Sequence, residues 1–248
     1  MFEIARQLRA DIERLDERAV FALVYTAIGL TCISYLKNPE YPAAILAGIG
    51  AEAINTADTN LYALAWWVFV SMVFYLVVPV IFVRCVQRRP LSEIGLSLTI
   101  EQGFIGLLLK CTVIMLPLVY LMSLTAGFSA KYPFLKVHNG EPYLGSTLLV
   151  WELIYFLQFF GLEFFFRGFL LHGLKPSLGL YSIFVMTVPY TMIHFQKPMP
   201  ETIAAILAGI FLGWLSYRNG NIWMGLILHC FVAFSMDIFA LFNKGLLF

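Results

Sequence analysis

Long apolar runs, unbroken by charge, alternate along this chain with short polar intervals. Ala19 to Leu36 carries no charged residue, and neither does the richly aromatic stretch from Asn60 to Val83. These runs are apolar on every side and show no 3.6-residue stripe, which is the pattern of helices that meet lipid. They are too long for barrel strands and do not alternate in and out. A bilayer core takes about 20 apolar residues per helical crossing. On that rule the pattern predicts seven spans, at roughly residues 19–36, 60–83, 103–126, 147–172, 177–195, 202–217 and 221–243. The Ala-rich segment within 37–59 is too short to cross, and residues 90–102, opening Pro90-Leu91-Ser92-Glu93, read as an interfacial turn and helix. Ahead of the first span, Ile4, Leu8, Ile12 and Leu15 recur at helical spacing among nine charged residues in eighteen. Residues 1–18 are therefore expected to form an amphipathic helix on the membrane surface and not a signal peptide, which needs an apolar core.

Composition agrees with this pattern. Hydrophobic residues make up 60% of the 248 positions and charged residues 12%, against about 25% charged in soluble domains. A net charge of +1 gives no electrostatic footprint for a nucleic-acid partner. Cys32, Cys85, Cys111 and Cys230 are scattered singly, so they read as small apolar residues and not as a disulfide frame or a zinc cluster. With no linker or internal repeat, residues 1–248 are expected to form one all-α, polytopic membrane domain. The cationic residues set its orientation. With the N-terminus in the cytoplasm, Arg6, Arg9, Arg14, Arg18, Arg84, Arg88, Arg89, Lys175 and Arg218 face inward, nine in all. Lys37, Lys131, Lys136, Lys197 and Lys244 face outward, five in all. The expected location is a plasma or inner membrane, with the C-terminus outside.

Ionisable groups at membrane depth are costly, and each is a functional hypothesis. Lys110 lies near a span end and can snorkel. Asp237 falls near the end of the last span and is expected at the interface, and Glu152, three turns before Glu163 on nearly the same face, reads as a further buried polar contact or, the favoured reading, as close to the outer interface. Glu163 and Arg167, four apart in Gly161-Leu162-Glu163-Phe164-Phe165-Phe166-Arg167-Gly168, share one helix face and can pair. By helical rise, Glu163 and His229 lie at similar depths, roughly 15 Å and 13 Å from the cytoplasmic ends of their spans, and His194 roughly 20–25 Å. Pro189 can kink the helix that carries His194. One Glu and two His could thus converge inside the membrane. Such a set can activate water and stabilise an oxyanion, and it is equally a possible His₂Glu zinc set.

The segment Leu162–Gly168 resembles the Glu-Glu-x-x-x-Arg-Gly motif of the CAAX-protease and bacteriocin-processing family of intramembrane endopeptidases. Tyr190-Thr191-Met192-Ile193-His194 is similar to its Phe-x-x-x-His motif. Gly209-x-x-x-Gly213, then Tyr217-Arg218-Asn219-Gly220-Asn221-Ile222-Trp223 and His229, resemble its closing helix pair. The blocks agree in order and spacing over residues 147–240, the expected catalytic core. The Gly209/Gly213 pair also has a plain packing reading. The resemblance implies a glutamic, metal-independent protease with no cofactor, acting on a membrane-bound or lipid-anchored peptide or protein. It implies Glu163 and His194 as the water-activating pair, His229 as the oxyanion donor and Arg167 as the residue that orients Glu163. Two positions depart from the family pattern. Leu162 stands where the first acid is expected, and Ala233 where an Asn often follows the last His. A catalytically silent scaffold or immunity factor on the same fold is the alternative.

Overall fold

The computed structural model describes residues 2–48, 56–136 and 146–246, so part of the Ala-rich segment, residues 49–55, lies outside the described residues. The described residues are overwhelmingly helical and contain no strand. Helix α1 (Phe2–Ile12) leaves Ile4 and Ile12 exposed, as a membrane-surface helix would. Asp16 then starts α2 (Glu17–Leu36), its carboxylate accepting from the Arg18 and Ala19 amides and so satisfying two of the helix's free N–H groups. Helix α3 (Glu40–Gly48) is short.

Helix α4 begins as Thr56–Met72 and continues to residue 86 through two widened π turns, Val73–Val77 and Phe82–Val86. They flank Pro79, which cannot donate to the preceding turn. A single 3₁₀ turn, Leu91–Ile94, precedes α5 (Phe104–Ser123) and α6 (Ala126–Lys131). The long helix α7 runs over residues 146–178 as Ser146–Glu163, a π segment Phe164–Leu170, and Leu171–Leu178. Helices α8 (Tyr181–Met192), α9 (Met199–Asn219) and α10 (Trp223–Asn243) complete the bundle.

Six helices among the described residues are long and apolar enough to cross a bilayer. The stretch expected to span at 177–195 is instead the 12-residue α8 followed by a tight turn. The outer hydrophobic runs still lie on lipid-facing surfaces. In α5 only Phe104, Val119 and Ser123 are buried, and Lys110 is exposed, as snorkelling requires. Helix α7 is the opposite case, the most buried of the six. Phe164, Phe165, Phe166, Leu170 and Leu171 are fully enclosed, packed with Tyr25 of α2, Tyr75 of α4, Met186 and Tyr190 of α8 and Ala205 of α9. A helix apolar all round can sit at the centre of a bundle, and this one carries the motif residues there.

Small residues set the closest approaches. A Cβ on Gly209 would stand 2.8 Å from Thr187 Cγ2, and one on Gly213 2.8 Å from Met186 Cε. The pair is therefore the tight seam between α8 and α9, which is the packing reading of that motif. Gly168 plays a similar part, because the Ile94 carbonyl of the 3₁₀ turn lies where its Cβ would project.

Candidate active site

The π segment begins directly after Glu163. Widened turns of this kind recur at functional sites because they re-aim side chains. Here both Glu163 and Arg167 are completely buried, and Arg167 Nη1 donates to Glu163 Oε1 at 3.0 Å. His229 of α10 brings Nδ1 to 2.6 Å from the same oxygen. That approach does not make an aligned hydrogen bond. Glu163 Oε2, together with Arg167 Nε and Nη2, has no hydrogen-bond partner among the described residues.

Gly225 allows α10 to come this close. A Cβ at position 225 would collide with the Glu163 carboxylate, so only glycine lets the helix backbone pass over it.

Tyr190 joins the remaining members. The Arg167 guanidinium lies 3.8 Å above its ring, a cation–π contact that is strongest where water is excluded. The Tyr190 hydroxyl and His229 Nε2 are 2.9 Å apart. One helical turn on, His194 Nδ1 donates to the Tyr190 carbonyl at 2.8 Å. A carbonyl can only accept, so Nδ1 carries a ring proton, and in the neutral imidazole Nε2 is then the lone pair. The His194 carbonyl in turn accepts from Thr202 Oγ1 at 2.8 Å, which pins the α8–α9 turn. Phe159 stacks on the His229 ring with centroids 5.3 Å apart.

Glu163, Arg167 and His229 thus meet directly, and His194 joins through Tyr190. Below Arg167, Ser216 Oγ donates to the Arg167 carbonyl at 2.9 Å and lies 3.3 Å from His172 Nε2. Of these, only Tyr190 falls within a sequence motif, at the Phe position of Phe-x-x-x-His, while Ser216, His172 and Gly225 fall in none. The signal for Tyr190 was its hydroxyl one turn before a buried His. The other three had none, since a Ser, a His and a Gly in helices are ordinary packing residues.

The two positions that depart from the family pattern lie in apolar surroundings. Leu162 is buried in the same cluster as Tyr75, Phe165 and Phe166. Ala233 packs against a second cluster containing Trp151, Tyr155 and Phe159.

Glu152 and Asp237, expected at the interface, are buried instead. Trp151 Nε1 donates to Asp237 Oδ2 at 3.2 Å, and Glu152 Oε2 and Asp237 Oδ1 have no hydrogen-bond partner among the described residues. Facing helices α7 and α10 bring them together, and the flanking aromatic rings remove them from solvent. The Trp151–Tyr155–Phe159 column separates this pair from His229.

No group of three or more His, Cys, Asp or Glu residues with metal-binding geometry occurs among the described residues. Residues 144–235 match the family model described as type II CAAX prenyl endopeptidase Rce1-like. No curated protein and no solved structure matches the chain.

Proposed function

We propose, from the match of residues 144–235 to the type II CAAX prenyl endopeptidase Rce1-like family model, that this integral membrane protein is an endopeptidase whose catalytic set is Glu163, His194 and His229, with Arg167 in support. The observation that carries the reading is the convergence of a fully buried carboxylate, a guanidinium and an imidazole at 3.0 Å and 2.6 Å. The substrate class is a peptide or protein held at the bilayer by a lipid anchor or its own membrane segment.

In this reading Glu163 and the His194 Nε2 lone pair draw a proton from water as its oxygen attacks the peptide carbonyl carbon. His229, as the oxyanion donor, presents Nε2–H toward the Tyr190 hydroxyl, 2.9 Å away, in the resting state. The developing oxyanion takes the place of that hydroxyl as acceptor. The proton taken from water passes to the leaving amine as the C–N bond breaks, so one water is consumed and no metal is needed. Arg167 fixes the Glu163 carboxylate by its 3.0 Å hydrogen bond.

The alternative of a silent scaffold or immunity factor draws on one observation, the apolar surroundings of Leu162. The experiment is peptide profiling of membranes with and without the protein, followed by a cleavage assay on the peptide so found. Glu163→Gln, His194→Ala and His229→Ala should each abolish cleavage while the protein still accumulates, and phenanthroline should leave the native activity intact. Leu162→Glu should not help, because it places a second carboxylate beside Glu163 and like charges disturb the base. Cleavage that appears only in Leu162→Glu would make the native chain the silent form, and loss to chelator with rescue by zinc would overturn the metal-free mechanism.

A further inference from the structure

Hydrolysis needs water, yet Glu163 is fully enclosed. One cleft connects it with the polar end of the bundle. At its inner end lie Glu163, Arg167 and Gly225, and at its outer end Glu101, Asn219 and Asn221. The cleft is too narrow for a water molecule in this structure. Its inner wall presents Glu163 Oε2 and Arg167 Nε and Nη2, buried groups without a hydrogen-bond partner among the described residues. Such groups are normally satisfied by protein or by ordered water.

The outer end is closed by a strap, residues 95–103, that links the 3₁₀ turn to α5. Both of its ends are glycines in the left-handed region, Gly95 at φ 90° and Gly103 at φ 81°, but Gly95 is packed against Gly168 Cα and Ile222 whereas Gly103 has open space around it, so only the Gly103 end turns freely. The first half of the strap is fastened by backbone. Leu96 bridges Asn221, the Ile222 amide donates to the Gly95 carbonyl at 3.1 Å, and Trp223 Nε1 donates to the Ser97 carbonyl at 2.7 Å. The second half is held by two side-chain amides. Asn219 Nδ2 donates to Glu101 Oε1 at 2.6 Å, and Asn221 Nδ2 reaches Glu101 Oε2 at 3.2 Å and the Thr99 carbonyl at 2.9 Å. The fastening of the half above the cleft thus rests on one carboxylate and two amides at the mouth itself.

We propose that this cleft is the water entrance of the site and that Glu101, Asn219 and Asn221 are its gate, opened when the second half of the strap, residues 98–103, swings on Gly103 while the backbone-fastened first half stays in place. The proposal rests on the hydrolytic reading for its purpose, but its test does not need a cleavable substrate. In full-length protein in native membranes, with Cys32, Cys85, Cys111 and Cys230 replaced by Ser, a single cysteine is placed on the cleft wall by Leu215→Cys or, in parallel, by Met224→Cys. The probe is a membrane-impermeant cationic methanethiosulfonate. Glu101→Ala, or Asn219→Ala with Asn221→Ala, should speed modification roughly 10- to 100-fold, the range expected when hydrogen bonds to a charged group are lost from a closed state. A lipid-facing control, Leu207→Cys, should stay unmodified in every background. Unchanged rates at both cleft positions in the gate variants would overturn the entrance. Faster labelling in a protein that cleaves nothing would support the gate while sinking the endopeptidase reading.

Discussion

Replacing Arg167 by Met removes the guanidinium that hydrogen-bonds the buried Glu163 carboxylate. Met has similar length and adds no polar atom, so the lost interactions are the 3.0 Å hydrogen bond to Glu163 and the stack on Tyr190. With charge centres about 4 Å apart and an effective dielectric of about 20, the attraction is about 4 kcal/mol. Both side chains are fully buried, so surface screening does not discount it. Stranding one partner of a buried pair costs about 3–5 kcal/mol, which agrees with the Coulomb figure. The cation–π contact adds up to about 2 kcal/mol where desolvated. The expected outcome for Arg167→Met is a clear fall in thermal or SDS-unfolding stability in detergent, together with lower membrane yield. Adding Glu163→Gln should recover about 1–3 kcal/mol, because the stranded charge is then gone. A stable Arg167→Met protein, or a double variant no better than the single one, would refute the buried pair as the source of the cost.

Reporter fusions after Arg89 and after Lys244 should lie on opposite faces of the membrane, since α8 reverses the chain between α7 and α9 despite its length; the same face for both would sink this topology. Asp16 offers a pH test outside the spans. The Ser177 hydroxyl, donating to Asp16 Oδ2 at 2.5 Å, holds the carboxyl below the usual aspartate range, helped by the Arg18 and Ala19 amides against a smaller opposing effect of burial. A depressed carboxyl stabilises the fold above its unfolded pKa of about 3.9, and that contribution is lost as pH falls through the folded value. Ser177→Ala should therefore be less stable than the native protein at pH 7, with the gap closing toward pH 3 in a melting series. A gap that does not change with pH would exclude this linkage.

Much of the architecture was legible because bilayer-facing helices announce themselves by length and charge exclusion. The N-terminal helix, the long apolar spans and the pairing of Glu163 with Arg167 all follow from residue spacing along single helices. What was not legible depends on contacts between helices. Glu152 and Asp237 each sit near a span end, so each alone suggests an interface, and only the packing of α7 on α10 buries them as a pair. The depth estimate treated the helix of His194 as continuous, whereas it stops at Met192 and delivers His194 from a turn. The closeness of His229 to Glu163 depends on Gly225, a residue whose part is visible only once the two helices are superposed in space.

The shortness of α8 has a consequence for the lipid around it. Twelve residues rise only about 18 Å, against a hydrocarbon thickness of about 30 Å. Phe184, Val188 and Met192 are exposed on its outer side, so acyl chains meet this helix directly. Such hydrophobic mismatch is relieved by local thinning of the leaflet, at a fraction of a kcal/mol per Å. The headgroup layer is therefore drawn inward toward the α8–α9 turn that bears His194. Short-chain lipids should therefore favour this folded state over long-chain ones.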